Sequence, residues 1–247
     1  QPNHWFRGNL EGIAPEDLAK LLPLRKKLSW TVLTHVVAQA AMQNRSVKKA
    51  EGSAQYRETR LPKHAMVGML DGLRRAIAGL RIPSHATVWG DYAGRNSYQS
   101  DEARAKAAFV GEMTASVKPD LLFDIGCNSG DFSATALDAG AKSVVGFDFD
   151  FGALERAFAR FTKSGQKMLP LWLDAANPSP AQGWASAERK SFGERAKGDS
   201  MVALALIHHI AISRNVPLDQ AVDWLMAMAP TGIIEFPNKD ERARETM

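Results

Sequence analysis

The sequence predicts an α/β protein: a Rossmann-like, doubly wound and mostly parallel sheet, preceded by an α-helical module. Three observations predict it. From residue 119 onward, short apolar runs alternate with helical stretches. The first of those runs opens into a glycine loop ahead of a helix. Before residue 119 the apolar residues recur at helical spacing instead. With 247 residues, 45% hydrophobic and 23% charged, the chain can bury a sizeable core, and disordered, collagen-like and disulfide-scaffold classes are excluded.

The helical module comes first. Val32, Leu33, Val36, Val37 and Ala40 share one helical face, as do Met66, Met69, Leu70, Leu73, Ile77 and Leu80, so three or four helices are expected over residues 15–118. Ser29 suits the N-cap of the second helix, and Pro62 and Pro83 bracket the third. Met66 and Met69 read as core filling. Charge follows the same division. Residues before Pro119 hold 18 basic and 10 acidic side chains and the rest hold 13 and 17, so a surplus of eight positive charges faces a deficit of four. The basic half permits an anionic partner, but without interleaved aromatics it does not indicate nucleic acid. Apolar runs far shorter than the roughly 20 residues of a spanning helix predict no membrane segment. The one cysteine, Cys127, forms no intramolecular disulfide and suits a reducing, cytoplasmic setting.

Five strands are expected at 121–125, 143–147, 168–173, 201–207 and 232–236, with helices at 132–139, 152–164, 181–197 and 218–228 between them. Strict alternation of this kind gives a parallel sheet covered on both faces. The first strand carries Asp124 near its end and runs into Gly126, Cys127, Asn128, Ser129 and Gly130 before a helix. Backbone amides there can approach a ligand closely, because Gly126 and Gly130 lack a Cβ. The second strand ends in Asp148, 24 residues beyond Asp124 and placed to accept both hydroxyls of a ribose. Phe149 follows and could lie against an adenine face, with Asp150 a secondary carboxylate. The third strand ends in Asp174 and Ala175, an acid suited to an adenine amino group. Each aspartate alone also suits a helix N-cap; three at consecutive strand ends converge on one crevice.

These residues resemble a known family. The segment from Phe123 to Gly130 resembles motif I of class I S-adenosylmethionine-dependent methyltransferases. Val145, Gly146, Phe147 and Asp148 resemble its acidic second motif, and Leu173, Asp174 and Ala175 its adenine-contacting motif. More narrowly, segments 176–184, 203–211 and 215–218 resemble bacterial methyltransferase-like proteins related to the nodulation protein NoeA, as do Trp89, Gly90, Asp91 and Tyr92 upstream. The resemblance implies S-adenosylmethionine as cofactor and a methyl acceptor of unspecified identity. It also implies a sheet of seven strands, of which the last two are expected to be missing here.

Methyl transfer is an in-line displacement that asks for alignment, a dry site and sometimes a base. The fourth strand's end faces the reactive methyl in this fold, and His208 and His209 stand there as candidate bases. On an extended segment only one of them would face the acceptor. Tyr92, Asn96 and Tyr98 are candidates for contacting the methionine part of the cofactor or the acceptor. Lys106, Glu235 and Lys239 are similar to the lysine-rich sets of RNA ribose methyltransferases, which gives a second reading. A third is a methyltransferase-fold binding protein without turnover; a nucleotide-dependent oxidoreductase is disfavoured by the glycine spacing. His208, His209, Glu235 and Asp240 match no metal motif, so no metal is expected. The expected division is a helical accessory module over 1–99 and a cofactor-binding domain over 100–247, the latter incomplete at its C-terminus.

Overall fold

A computed structural model describes residues 10, 12–43, 62–80 and 101–236. The chain divides into two compact units, Gln1–Pro83 and Ser84–Met247.

The first unit is helical among its described residues, as its spacing predicts. It contains α1 (Pro15–Leu21), α2 (Leu24–Lys27), α3 (Trp30–Val32), which runs on into a wider π turn over Leu33–Val37, and α4 (Lys63–Ala78). Ser29 does stand at the N-cap of α3, but its side chain makes no capping bond. Pro62 stands at the N-cap of α4, where its missing N–H is no loss. Met66 and Met69 are 45% and 41% exposed, which corrects the expectation that they fill a core.

The second unit opens with α5 (Asp101–Val117), whose first turn holds Asp101 and Glu102 at the positive end of the helix dipole. Then follow β1 (Leu121–Ile125), α6 (Asp131–Asp138), β2 (Ser143–Asp148), α7 (Phe151–Ser164), β3 (Met168–Trp172), α8 (Phe192–Arg195), β4 (Ser200–Ala203), α9 (Leu218–Met226) and β5 (Gly232–Ile234). All pairings are parallel and the strand order is β3-β2-β1-β4-β5. This is the expected doubly wound sheet.

Period-two alternation sorts the strands between two cores. Phe123, Ile125, Phe147, Met201 and Ala203 pack on one face with Phe192, Ala221 and Leu225. Leu122, Val144, Met168 and Val202 pack on the other with Val110 of α5, Ala134 and Ala136 of α6, and Leu154, Ala157 and Phe161 of α7. Phe147 joins Phe123 and Phe192 edge-to-face, with ring centres 5.6 and 5.4 Å apart. Burying both faces is what makes β1 and β4 nearly continuous apolar runs. Pro170 lies in β3, opposite Gly146, on an outer strand where a missing N–H is tolerated.

Two expected elements differ. The helix expected over 181–197 is mostly irregular: Gln182 and Arg189 form an isolated antiparallel bridge, Gly183 has φ +83°, Trp184–Ser186 makes one 3-10 turn, and only Phe192–Arg195 is α-helical, started by a Ser191–Glu194 capping box. Left-handed backbone at Gly183, Ala185 and Ser186, with φ of +83°, +53° and +58°, interrupts the segment so that no long helix forms. The strand expected over 201–207 stops at Ala203, because Ala205 turns to φ +48° and the chain coils from Ile207.

Candidate functional site

The glycine loop after β1 is folded back onto the end of β2. The amides of Gly126 and Cys127 both donate to the Phe147 carbonyl, at 2.7 and 3.0 Å. Gly126, Asn128 and Gly130 take φ of +85°, +47° and +81°, so the backbone turns left three times within five residues. That route suits glycine, and at Gly130 it is also enforced by packing: an added Cβ would stand 2.5 Å from Phe161 Cε2. Gly146 is needed for a different reason. A Cβ there would run into Met168 and into Cys127, whose Sγ would lie 2.8 Å away, so the bare backbone of β2 is what lets the loop lie down.

Asp148 closes the loop. Its Oδ2 accepts from the Asn128 amide and its Oδ1 from the Asp150 amide, each at 2.8 Å. Burial pushes this carboxyl above its usual range, against the pull of those two N–H groups. A carboxylate has about four lone-pair directions, so both oxygens keep capacity for ligand hydroxyls. Close by, the side-chain oxygen of Asn128 is buried without a hydrogen-bond partner, an acceptor that a ligand N–H or O–H would satisfy. The residues present therefore fit a nucleoside-type cofactor of the expected kind.

Asp124 differs from Asp148. It is only 3% exposed and accepts from Ser133 Oγ of α6 at 2.6 Å, so it braces the loop from beneath. Burial raises its pKa to about 7, Ser133 resists, and the charges of Asp148 and Asp131 add to the rise. The Cys127 thiol is likewise held protonated by burial and by Asp124 and Asp148. It is a space-filling member of the loop and not a nucleophile.

At the next strand edge, Phe149 is 41% exposed and lies 5.6 Å from Trp172, whose Nε1 donates to the Phe149 carbonyl at 2.9 Å. Phe151 stacks on the same indole at 6.3 Å. Asp150 is the N-cap of α7, accepting from the Ala153 amide at 3.0 Å, so it does structural service. Asp174 is 4% exposed; its Oδ1 accepts from the Ala176 amide at 3.2 Å and its Oδ2 pairs with Arg214 at 3.1 Å. Ala175 packs partly buried against the core beside it.

Beyond β4 the two histidines sit on a coil and not on an extended segment, which corrects the expectation that they point oppositely. His208 has helical dihedrals and His209 begins a π turn, His209–Ser213. Their rings lie side by side, 4.0 Å between centres. His208 Nδ1 is buried without a hydrogen-bond partner. The entry to this coil is pinned from β5: Glu235 Oε2 accepts from the Ala205 amide at 2.9 Å, and its Oε1 pairs with Lys106 at 2.8 Å. Lys106 also pairs with Glu102 at 2.8 Å. Burial works against the ammonium charge, yet the two carboxylates outweigh it and hold Lys106 above the usual lysine range. Among the described residues no three His, Cys, Asp or Glu side chains gather as a metal site. Tyr92, Asn96, Tyr98, Lys239 and Asp240 lie outside the described residues.

The sequence pattern brought out the three acids and the loop but passed over Ser133, Trp172 and Arg214. Ser133 left a readable signal, a small hydroxyl on the inner face of the first helix turn. Arg214 left none, because it stands 40 residues from the acid it meets.

The chain is 43% identical over 246 residues to the nodulation protein NoeA of Rhizobium meliloti (strain 1021), a match spanning 98% of this chain and 52% of the relative. The chain thus spans about half the length of the curated relative it matches. No family model matches it. Among solved structures, the N-methyltransferase NodS of Bradyrhizobium japonicum in complex with S-adenosylhomocysteine is 17% identical with a TM-score of 0.40, covering 53% of this chain and 58% of that one. The bifunctional kinase-methyltransferase WbdD is 17% identical with a TM-score of 0.45, covering 68% and 36%. No helix among the described residues is long and apolar enough to cross a membrane.

Proposed function

We propose that this chain binds S-adenosylmethionine and transfers its methyl group to an oxygen or nitrogen acceptor. The observation that carries the reading is the glycine loop tied by its own amide to the acid of the second strand, with the acids of β1 and β3 on either side. A crevice at the carboxyl ends of parallel strands is where such sheets take nucleosides. The 43% identity to NoeA adds support from outside the structure.

In this reading the loop from Gly126 to Gly130 brings backbone close to the cofactor, with Cys127 filling the space beneath. Asp124 holds that loop through Ser133. Asp148 accepts the ribose hydroxyls, Asp174 accepts the adenine amino group, and Phe149 and Ala175 flank the ring. Asn128 offers its buried oxygen to a ligand donor. The cofactor, when bound, supplies a methyl group open to in-line displacement. His208 or His209 takes the acceptor's proton; the buried Nδ1 of His208 has no hydrogen-bond partner among the described residues, and the His209 ring packs beside it. Tyr92, Asn96 and Tyr98 are candidates on the acceptor or methionine side. Lys106 of the ribose-methyltransferase alternative is paired with Glu102 and Glu235, and its second lysine, Lys239, lies outside the described residues. A single buried thiol suits a cytoplasmic setting.

Calorimetric titration with S-adenosylmethionine, S-adenosylhomocysteine and NAD tests the reading. Binding of the first two and not the third is expected, and Asp148→Ala should weaken it by at least about tenfold, the scale of a charge-assisted pair of hydrogen bonds. No binding of either sulfur ligand would refute the proposal. Labelled-methyl transfer into extract fractions, repeated with His208→Ala and His209→Ala, then assigns the base; activity surviving both changes would remove histidine from the reaction.

A further inference from the structure

The Asp174 carboxylate is almost sealed. Its side chain is 5% exposed, one oxygen is taken by the Ala176 amide, and the other is covered by a guanidinium that is itself 47% exposed. Each oxygen keeps a second lone pair, but with this side chain only 5% exposed the guanidinium covers much of the remaining approach, so a ligand amino group arriving at this acid competes with Arg214. Arg214 also ends the coil that carries both histidines, immediately after the π turn His209–Ser213. The Val216 amide bonds back to the Ile210 carbonyl at 3.3 Å, which ties the residues after Arg214 into the same coil.

We propose that Arg214 is the gate of the adenine subsite and a determinant of base selectivity: it plugs Asp174 in the free protein and is displaced when an adenine amino group donates to that carboxylate. This rests on the reading of Asp174 as the adenine acceptor. Displacement is possible because the guanidinium end is half-exposed and water takes it up as it leaves, while the ligand N–H replaces its bond to the buried carboxylate. The buried end makes it selective. Adenine replaces the guanidinium with another donor, so the buried carboxylate stays satisfied. Hypoxanthine carries a carbonyl at the same position and cannot donate from there to Asp174; in that pose it is tolerated only while Arg214 remains in place as donor. Removing Arg214 therefore helps the adenine ligand and penalises the hypoxanthine ligand. Because the histidines stand on the same coil, displacement of Arg214 also gives adenine binding a route to the acceptor side.

The test is calorimetric titration of the wild-type chain, Arg214→Ala, Arg214→Lys and Asp174→Ala with S-adenosylhomocysteine and with S-inosylhomocysteine, each variant first checked for a cooperative unfolding transition above the assay temperature. Arg214→Ala should bind S-adenosylhomocysteine about three- to tenfold more tightly, the scale of one partly screened ion pair, and should bind S-inosylhomocysteine more weakly than wild type does. Arg214→Lys, with one compact charge in place of the fork, should fall between. Raising sodium chloride should tighten S-adenosylhomocysteine binding to wild type and leave Arg214→Ala unmoved. If wild type binds S-adenosylhomocysteine and Asp174→Ala binds it less well, yet Arg214→Ala leaves the ratio of the two ligands unchanged, the gate is refuted while the cofactor site stands. If Asp174→Ala binds it as wild type does, the adenine assignment falls and the gate with it. If wild type binds neither ligand, the methyltransferase reading itself fails.

Discussion

Raising the pH from about 5 to about 8 should destabilise this protein through one side chain, Asp124. In the folded chain its pKa is raised to about 7 from the ordinary 3.8, first by burial and then by the neighbouring charges of Asp148 and Asp131. Between those two values the unfolded chain has lost the proton and the folded chain keeps it. The stabilisation is therefore fully present below about pH 4 and is lost as pH climbs through 7. At about 1.4 kcal/mol per unit, the stretch from pH 5 to 7 removes on the order of 3 kcal/mol. That is a large share of the 5–15 kcal/mol that holds a typical domain together. The partner for comparison is Asp124→Asn, which cannot ionise and whose carbonyl still accepts from Ser133. Urea unfolding of both proteins, followed by near-ultraviolet dichroism at half-unit steps, isolates the contribution of Asp124 and the charges coupled to it, because titrations elsewhere in the chain cancel in the difference. The gap between them should grow in favour of the asparagine variant from about pH 5 to 7 and then level off. Stability curves that run parallel across that range would refute the reasoning, and with it the placement of Asp124 as a sealed brace beneath the loop.

Gly130→Ala should lower stability by about 2–4 kcal/mol, combining about 1 kcal/mol for an L side chain at a left-handed φ with about 1–3 kcal/mol for pressing into Phe161. Urea midpoints measure it, and a loss below about 0.5 kcal/mol would mean that Phe161 yields freely. Cys127, the only thiol of the chain, is buried and held protonated. A chromogenic disulfide should therefore label native protein no faster than the loop opens, and labelling should become immediate in denaturant; prompt labelling of native protein would contradict the buried loop.

What was legible in the sequence was what local chemistry decides. Leu121 to Ile125 reads as a buried strand because both faces demand apolar residues, and the turn after it is written in Gly126 and Gly130, where φ is positive. Asp124, Asp148 and Asp174 were found because strand ends are found with the strands. Legibility failed where a distant partner decides the conformation. The apolar run from Met201 to Ile207 continues past the strand, yet the ladder stops at Ala203 because Glu235, 30 residues away, captures the Ala205 amide at the turn. That shift moves the histidines from an extended segment to a coil and brings their rings together. Helical spacing over 181–197 was outvoted by the left-handed backbone at Gly183, Ala185 and Ser186 within it. The pairing of Asp174 with Arg214 depends on packing across the sheet's edge, which no window of sequence contains.

Pro170 gives the sheet two unequal rims. Along β3 the bonds to β2 run through alternate residues, from the Lys167 carbonyl to the Leu173 amide, so the position of Pro170 belongs to the outward set. An incoming strand on that side would meet a gap where a donor should stand, and no continuous ladder could form. The opposite rim, Gly232 to Ile234, has no proline. Growth of this sheet is therefore directional: a strand supplied by the same chain or by another molecule finds an unbroken row of donors only along β5, and the β3 rim is a built-in stop against edge-to-edge association.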